Sequence, residues 1–188
     1  MNPKLFLLFI SVPFLTGFGT QEDWMDKKYE TARTAAASDF HSSLEKDVFF
    51  YINLARLFPK EFAEKYIKDI GKRSAYHTSL YKTLHSMKTV PAMKPDRAMF
   101  DLALCWAKEG GKTGVIGHNR KKCKDGYSAE CCSYGEETAI GIVLQLLIDE
   151  GIPSLGHRKA LLSKQYSVLG VSIQPHKKHA THAVLDMK

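Results

Sequence analysis

Between Tyr134 and Leu162 the chain reads YGEETAIGIVLQLLIDEGIPSLGHRKALL, and apolar positions follow one another there almost without interruption. Ala139, Ile140, Ile142, Val143, Leu144, Leu146, Leu147 and Ile148 leave only Gly141 and Gln145 to break the run. A helix that is apolar nearly all round is a core helix, covered on more than one side. Asp149 and Glu150 close the run. Gly151 and Pro153 then stop the helix, since glycine accepts the left-handed turn and proline forbids continuation. Glu136 and Glu137 fall near its N-terminus, where the macrodipole favours anions. They read either as helix-end residues or as the acid end of a polar site that His157 and Arg158 close.

Upstream, residues 21–43 are polar with an alanine-rich patch, a leader in which Trp24, Met25, Tyr29 and Phe40 are the large apolar anchors. A first helix is expected over residues 44–57, with Ser42 or Ser43 as N-cap and Val48, Ile52 and Ala55 at helical spacing. Residues 60–70 read as a second amphipathic helix stopped by Gly71, and residues 79–87 as another helical piece. Asp96 caps a helix over residues 97–109, in which Met99, Leu102, Ala103, Trp106 and Ala107 form a core-facing stripe and Gly110-Gly111 ends the element. Residues 110–135, rich in Gly, Lys and Cys, read as a long loop that carries His118, and loops of that length are commonly functional or disulfide-pinned. Residues 168–174 and 180–187 alternate as strands and form a hairpin about the basic turn 175–179. Two strands cannot hold a sheet alone, so a third strand or covering helices must support them. Helices first and strands last make an α+β layered domain.

Residues 1–19 carry Lys4 and then an apolar run, LFLLFISVPFLTGF, that is shorter than the roughly 18 residues of a membrane span and ends in small residues. They are expected to be a signal peptide, followed by a polar leader over 20–44 and one domain over 45–188, in a protein that is secreted or periplasmic, without a transmembrane segment and monomeric. The 188-residue chain is basic, with a formal net charge of +7. Its lysines are scattered, with short clusters such as Arg120-Lys121-Lys122 and Lys177-Lys178 and no interleaved aromatics. That distribution speaks for a solvated surface and against specific nucleic-acid binding. Cys105, Cys123, Cys131 and Cys132 form an even set in an exported chain, so disulfides are expected. Adjacent Cys131 and Cys132 rarely bridge each other. A link from Cys123 to either of them, with Cys105 taking the remaining partner, competes with a free buried Cys105. No Cys-x-x-Cys spacing suggests a zinc knot.

Local catalytic signatures are missing. There is no Gly-x-Ser-x-Gly and no His-Glu-x-x-His, and Trp106 stands where a phosphate loop ending in Gly111-Lys112-Thr113 needs its leading glycine. Ser43 and Lys46 match Ser-x-x-Lys, yet Ser43 is better explained as a cap. What survives is a set comprising His118, Glu136 or Glu137, Asp149 or Glu150, and His157. Imidazole and carboxylate together suit zinc or another divalent cation, and the same groups can also form a metal-free polar cluster.

Six segments share an order and spacing: YINLAR at 51–56, DLALCWAKEGG at 101–111, GHN at 117–119, GEETA at 135–139, IPSLGHRKALL at 152–162 and VLGVSI at 168–173. In these the chain resembles the CAP superfamily, also called the SCP domain, which gathers cysteine-rich secretory, antigen 5 and pathogenesis-related proteins, and it is most similar to the bacterial exported branch. The resemblance implies an α-β-α sandwich with a small antiparallel sheet covered by helices, and a cleft carrying a His, Glu, Glu, His tetrad. Carried onto this chain, His118 is the first His, Glu136 the Glu of the family's Gly-Glu-Asn motif and His157 the second His. Glu137 stands at the Asn position, and Asp149 or Glu150 lies in the segment of the second acid.

The expected function is that of an exported binding protein whose His/Glu cleft (His118, Glu136, Asp149, Glu150, His157) holds a ligand. A divalent metal such as zinc would sit on His118 and His157, and the implied partners are a lipid, a sterol, another small ligand or a protein. The alternative is a secreted metal-dependent hydrolase with Glu136 as general base. A purely structural module, its tetrad a satisfied polar core, is the third reading.

Overall fold

The computed structural model describes residues 24–69 and 74–188. The expected signal peptide at 1–19 and the expected Gly71 helix stop lie outside them. After a short 3-10 helix at Lys27–Ala32 come α1 (Ser43–Leu57), α2 (Pro59–Tyr66), α3 (Ala75–Ser86), β1 (Lys94–Pro95) and α4 (Arg97–Thr113). β2 (Ala129–Tyr134), α5 (Ala139–Ile148), α6 (Gly156–Leu161), β3 (Val168–His176) and β4 (Ala180–Met187) complete the chain. Among the described residues no helix is long and apolar enough to cross a membrane.

The α+β architecture expected from the pattern is present, and its sheet has four strands in the order β1-β3-β4-β2. The sheet is mixed rather than purely antiparallel: β3 and β4 form the expected hairpin, but β1 joins β3 in parallel. The third strand that the hairpin needed comes from the stretch read as loop, since β2 pairs antiparallel with β4 from Ala129↔Met187 to Tyr134↔His182.

Strand alternation divides the core between the two faces. Cys131, Ala183, Leu185 and Met187 face a large cluster with α1, α5 and the leader, whereas Cys132 and Val184 face a smaller one with Ala103, Trp106 and Ala107 of α4. Helices therefore cover both faces. The leader belongs to the larger cluster, because Trp24, Tyr29, Ala32 and Ala35 are buried in it and Trp24 Nε1 donates to Tyr66 Oη at 2.6 Å.

The helix starts follow their caps. Ser42 and Glu45 form a capping box at α1, Asp96 accepts from Met99 N at α4, and Thr138 accepts from Gly141 N at α5. α4 does not end at Gly110-Gly111 but continues to Thr113, with Gly114 as its left-handed C-cap. Those glycines serve close approach: a Cβ at Gly111 would clash with the Pro175 carbonyl, and one at Gly170 with the backbone of Met99 and Phe100. α4 can therefore lie against β3 at both of its ends.

The disulfide joins Cys105 to Cys123. Cys131 and Cys132 are free and buried. The expected link from Cys123 to one of them fails because β2 sends the two adjacent side chains into opposite packed faces.

Candidate functional site

His118 follows α4 by a few residues and is fixed by aromatic side chains on both sides of the sequence gap. Gly117, at φ 87°, donates its N–H to Tyr134 Oη at 2.9 Å, while its carbonyl accepts from Trp106 Nε1 at 3.1 Å. The backbone just before the imidazole is thus tied to β2 and α4. His118 Nδ1 lies 2.6 Å from Glu130 Oε1. A carboxylate only accepts, so the Nδ1 proton is donated to it and Nε2 is left for a ligand.

Behind Glu130 the network runs inward. Arg120 Nη2 donates to Glu130 and reaches both oxygens of Asp186 on β4 at 2.7 Å. Glu130 and Arg120 side chains are each 2% exposed and Asp186 is 0% exposed, whereas the His118 side chain is 53% exposed. A solvent-facing imidazole therefore stands on a buried carboxylate–guanidinium–carboxylate stack. Burial works against the Glu130 carboxylate, but the hydrogen bond from His118 and the charge of Arg120 outweigh it and hold Glu130 below the usual range. Asp186 moves the other way, pushed up by its deeper burial against the pull of Arg120. The hydrogen bond to Glu130 holds the His118 imidazolium above its ordinary value.

His157 is built locally. Asp149, the left-handed C-cap of α5 at φ 58°, turns its carboxylate onto the start of α6. There Oδ2 accepts from His157 N at 3.0 Å and Arg158 N at 3.3 Å, and Oδ1 lies 2.7 Å from His157 Nδ1. The buried Arg158 guanidinium stitches the turn shut, donating to Leu147 O at 2.6 Å, Ile148 O at 2.7 Å, Tyr76 O at 3.0 Å and Ser79 Oγ at 2.7 Å. The His118 and His157 ring centroids are 6.4 Å apart and the rings are tilted by 41°.

Two cavities meet at His157. One, of about 1330 Å³, is walled by Tyr134, Glu136, Leu144, Gln145 and His77. The other, of about 600 Å³, includes His118, Glu130, Ser154, Lys159 and Gln165.

The structure brings three of the expected site residues together: His118, His157 and Asp149. Of the two candidate second acids, Asp149 is the one on His157, while Glu150 accepts from Ser74 Oγ at 2.5 Å and sits 3.6 Å from His77 Nδ1. Glu136 does not reach either imidazole. Its carbonyl accepts from Thr181 Oγ1 at 2.8 Å, and its carboxylate lies over Gly141 in the wall of the larger cavity. The acid on His118 is Glu130, six residues earlier, and Glu137 is exposed.

Glu130, Arg120 and Asp186 went unseen in the sequence because residues 129–134 read as loop. The available signal was a six-residue stretch, AECCSY, free of glycine, proline and lysine and bounded by Gly126 and Gly135. A further donor set overlaps the site: His118 Nδ1, a Glu130 oxygen and Cys132 Sγ lie within 4.8 Å of one another. In that set Glu130 is already engaged by Arg120, and burial pushes the Cys132 thiol well up. No family model matches this chain, and no curated protein matches it.

Proposed function

We propose that the chain is an exported CAP-type binding protein whose cleft takes a divalent cation or a polar ligand between His118 and His157. The observation that carries this reading is the duplicated unit: each imidazole has its Nδ1 on a nearly buried carboxylate, which leaves both Nε2 atoms for a common ligand. Carboxylate-oriented imidazoles of this kind are characteristic supports for metal ligands, because the carboxylate fixes the tautomer and raises the basicity of the ring. The donor set fits zinc, which accepts neutral imidazole nitrogen and would leave positions for a water or a bound ligand. Glu130 and Asp149 would orient rather than ligate.

A thiol-based enzyme is disfavoured, since burial pushes the thiols of both Cys131 and Cys132 well above the ordinary range. Glu136, in the wall of the cavity next to His157, is the residue on which the hydrolase alternative rests. Isothermal titration of zinc into metal-stripped protein tests the proposal. Binding is expected in the wild type and lost in His118→Ala/His157→Ala; binding that survives the double substitution overturns the proposal, and binding that survives His157→Ala but disappears in Cys132→Ser would move the site onto the His–Glu–Cys set. Ester turnover abolished by Glu136→Gln with zinc binding retained would establish the hydrolase instead.

A further inference from the structure

The two edges of the sheet are finished differently. On the β3 edge, Asp96 N donates to Leu169 O at 3.0 Å beside the β1 pairing. Val171 N lies 3.4 Å from His41 Nε2, and Ile173 N donates to Glu45 Oε1 at 2.8 Å. Every second residue on that edge has thus been given a partner by the leader or a helix start. Such covering is what an edge strand needs to avoid pairing with another chain.

On the β2 edge the covering stops short. Gly135 N donates to Thr181 O at 3.2 Å in the β2–β4 register, so residues 131 and 133 turn their main-chain groups to β4. Residues 130, 132 and 134 therefore turn theirs outward. At Tyr134 both outward groups are met by one side chain, for Tyr134 N donates to Gln145 Oε1 at 3.2 Å and Gln145 Nε2 donates to Tyr134 O at 3.1 Å. A primary amide there stands in for the peptide group of a neighbouring strand. At Glu130 and Cys132 no such partner is present among the described residues. Glu130 is partly exposed although its side chain is only 2% exposed, so what reaches solvent is its main chain.

Both cavities follow this edge. Cys132 and Tyr134 border the larger, Ala129 and Glu130 the smaller, and His157 borders both. Ile140, Leu144 and the 40%-exposed Ile152 give the larger one an apolar wall.

We propose that the open edge of β2 is a docking site for an extended polypeptide, which pairs its main chain with Glu130 and Cys132 beside His118 and His157. Two outward-facing residues supply up to four main-chain hydrogen bonds, and the alternating side chains of the added strand meet the apolar wall on one side only. The occupant is therefore a protein segment with apolar residues at alternate positions. This site does not depend on a cation at the imidazoles.

The test is a titration of the isotope-labelled full chain with a degenerate pool of acetylated octapeptides, apolar at alternate positions, at up to millimolar concentration. A second pool carries N-methyl groups at alternate amides, which removes main-chain donors and keeps the side chains. The expected result is shifted Glu130 and Cys132 amide resonances and at least tenfold slower exchange at both with the first pool, no effect with the second, and unchanged Cys131 and Ser133. His118→Ala/His157→Ala should keep this response while losing zinc, so the two proposals fail separately. Three outcomes overturn the docking site: no response at Glu130 and Cys132, an equal response to the methylated pool, or concentration-dependent protection without peptide, which would mark the edge as a contact between two copies.

Discussion

His118–Glu130 and His157–Asp149 are the same chemical unit made in two ways. The second is a product of helix ends: Asp149 leaves α5, caps α6 and holds the imidazole eight residues later, so the pair follows from one turn. The first needs the whole sheet, because Glu130 on β2 is held by Arg120 from a loop and Arg120 by Asp186 on the last strand. A site assembled from one local half and one long-range half should lose the two halves under different perturbations.

Removing the cation from the long-range half gives the largest expected effect. Arg120→Met leaves Glu130 and Asp186 buried without a counter-charge, which should cost about 3–5 kcal/mol of stability in chemical denaturation. The deficit should shrink as pH falls from 8 to 5, because protonating the stranded carboxylates relieves it. A loss below about 1 kcal/mol would mean that the stack is a surface ion pair and that the His118 half is no more dependent on the fold than the His157 half.

Acid should act next, through histidines buried in neutral form. Burial lowers His182 to about 4, and burial with the nearby charge of Lys46 lowers His41 to about 4. Below the unfolded value near 6.5 the unfolded chain takes up protons that these folded sites refuse, so stability is lost as pH falls from about 6.5 toward 4. Each histidine contributes up to about 3 kcal/mol across that window. His182 stacks on Tyr134 at 4.7 Å, and Tyr134 anchors Gly117, so acid should loosen the His118 half in particular. Denaturation midpoints at pH 7 and pH 4.5 measure the loss, and His182→Phe should remove roughly half of it; an unchanged slope would sever His182 from the effect.

The local half is expected to be sensitive in binding more than in folding. Asp149→Asn keeps an oxygen near the start of α6 but removes the charge that orients His157, at a cost of about 2 kcal/mol in stability and 10–100-fold in zinc affinity. Glu130→Gln should lower zinc affinity by a similar factor. Comparing the two titrations shows whether both imidazoles serve one ligand: a loss confined to one variant would assign the ion to a single histidine.

What could be read from the sequence follows the same division. The apolar run at 139–148, Asp149 and His157 lie in one stretch whose periodicity and turn residues are local signals, and the helix stops there as expected, although its left-handed C-cap is Asp149 and Gly151 takes its positive φ only two residues later. The helix at 97–113 was legible except for its end, since what Gly110 and Gly111 do is decided by Pro175 and His182 across the sheet. Glu130 was hidden because β2 is made a strand by β4, more than forty residues later, and the Gly-, Lys- and Cys-rich segment 110–135 around it looks like loop composition. The disulfide was hidden for the same reason: only the alternation of β2 buries Cys131 and Cys132 in opposite packed faces, and Cys123 pairs with Cys105 of α4 instead.

The smallest expected effect on stability comes from Gln145, where the long-range and local halves touch. Its amide carries Ser133 Oγ at 2.5 Å as well as the Tyr134 main chain, and it is presented by α5, the helix that ends in Asp149. Gln145→Ala should cost about 1 kcal/mol, since the Tyr134 main-chain groups are near solvent and can be rehydrated and only the buried Ser133 hydroxyl loses its partner. Its larger consequence is geometric. With Tyr134 uncovered, the outward-facing set on β2 grows from Glu130 and Cys132 to include Tyr134, so amide exchange at Tyr134 should rise at least tenfold in the free protein and fall again when the peptide pool is added. Zinc affinity should stay within about twofold of wild type, because no bond to either imidazole has been touched. Exchange at Tyr134 that stays slow in the variant would mean that another group closes the edge, and that the open stretch at Glu130 and Cys132 is closed by the same means.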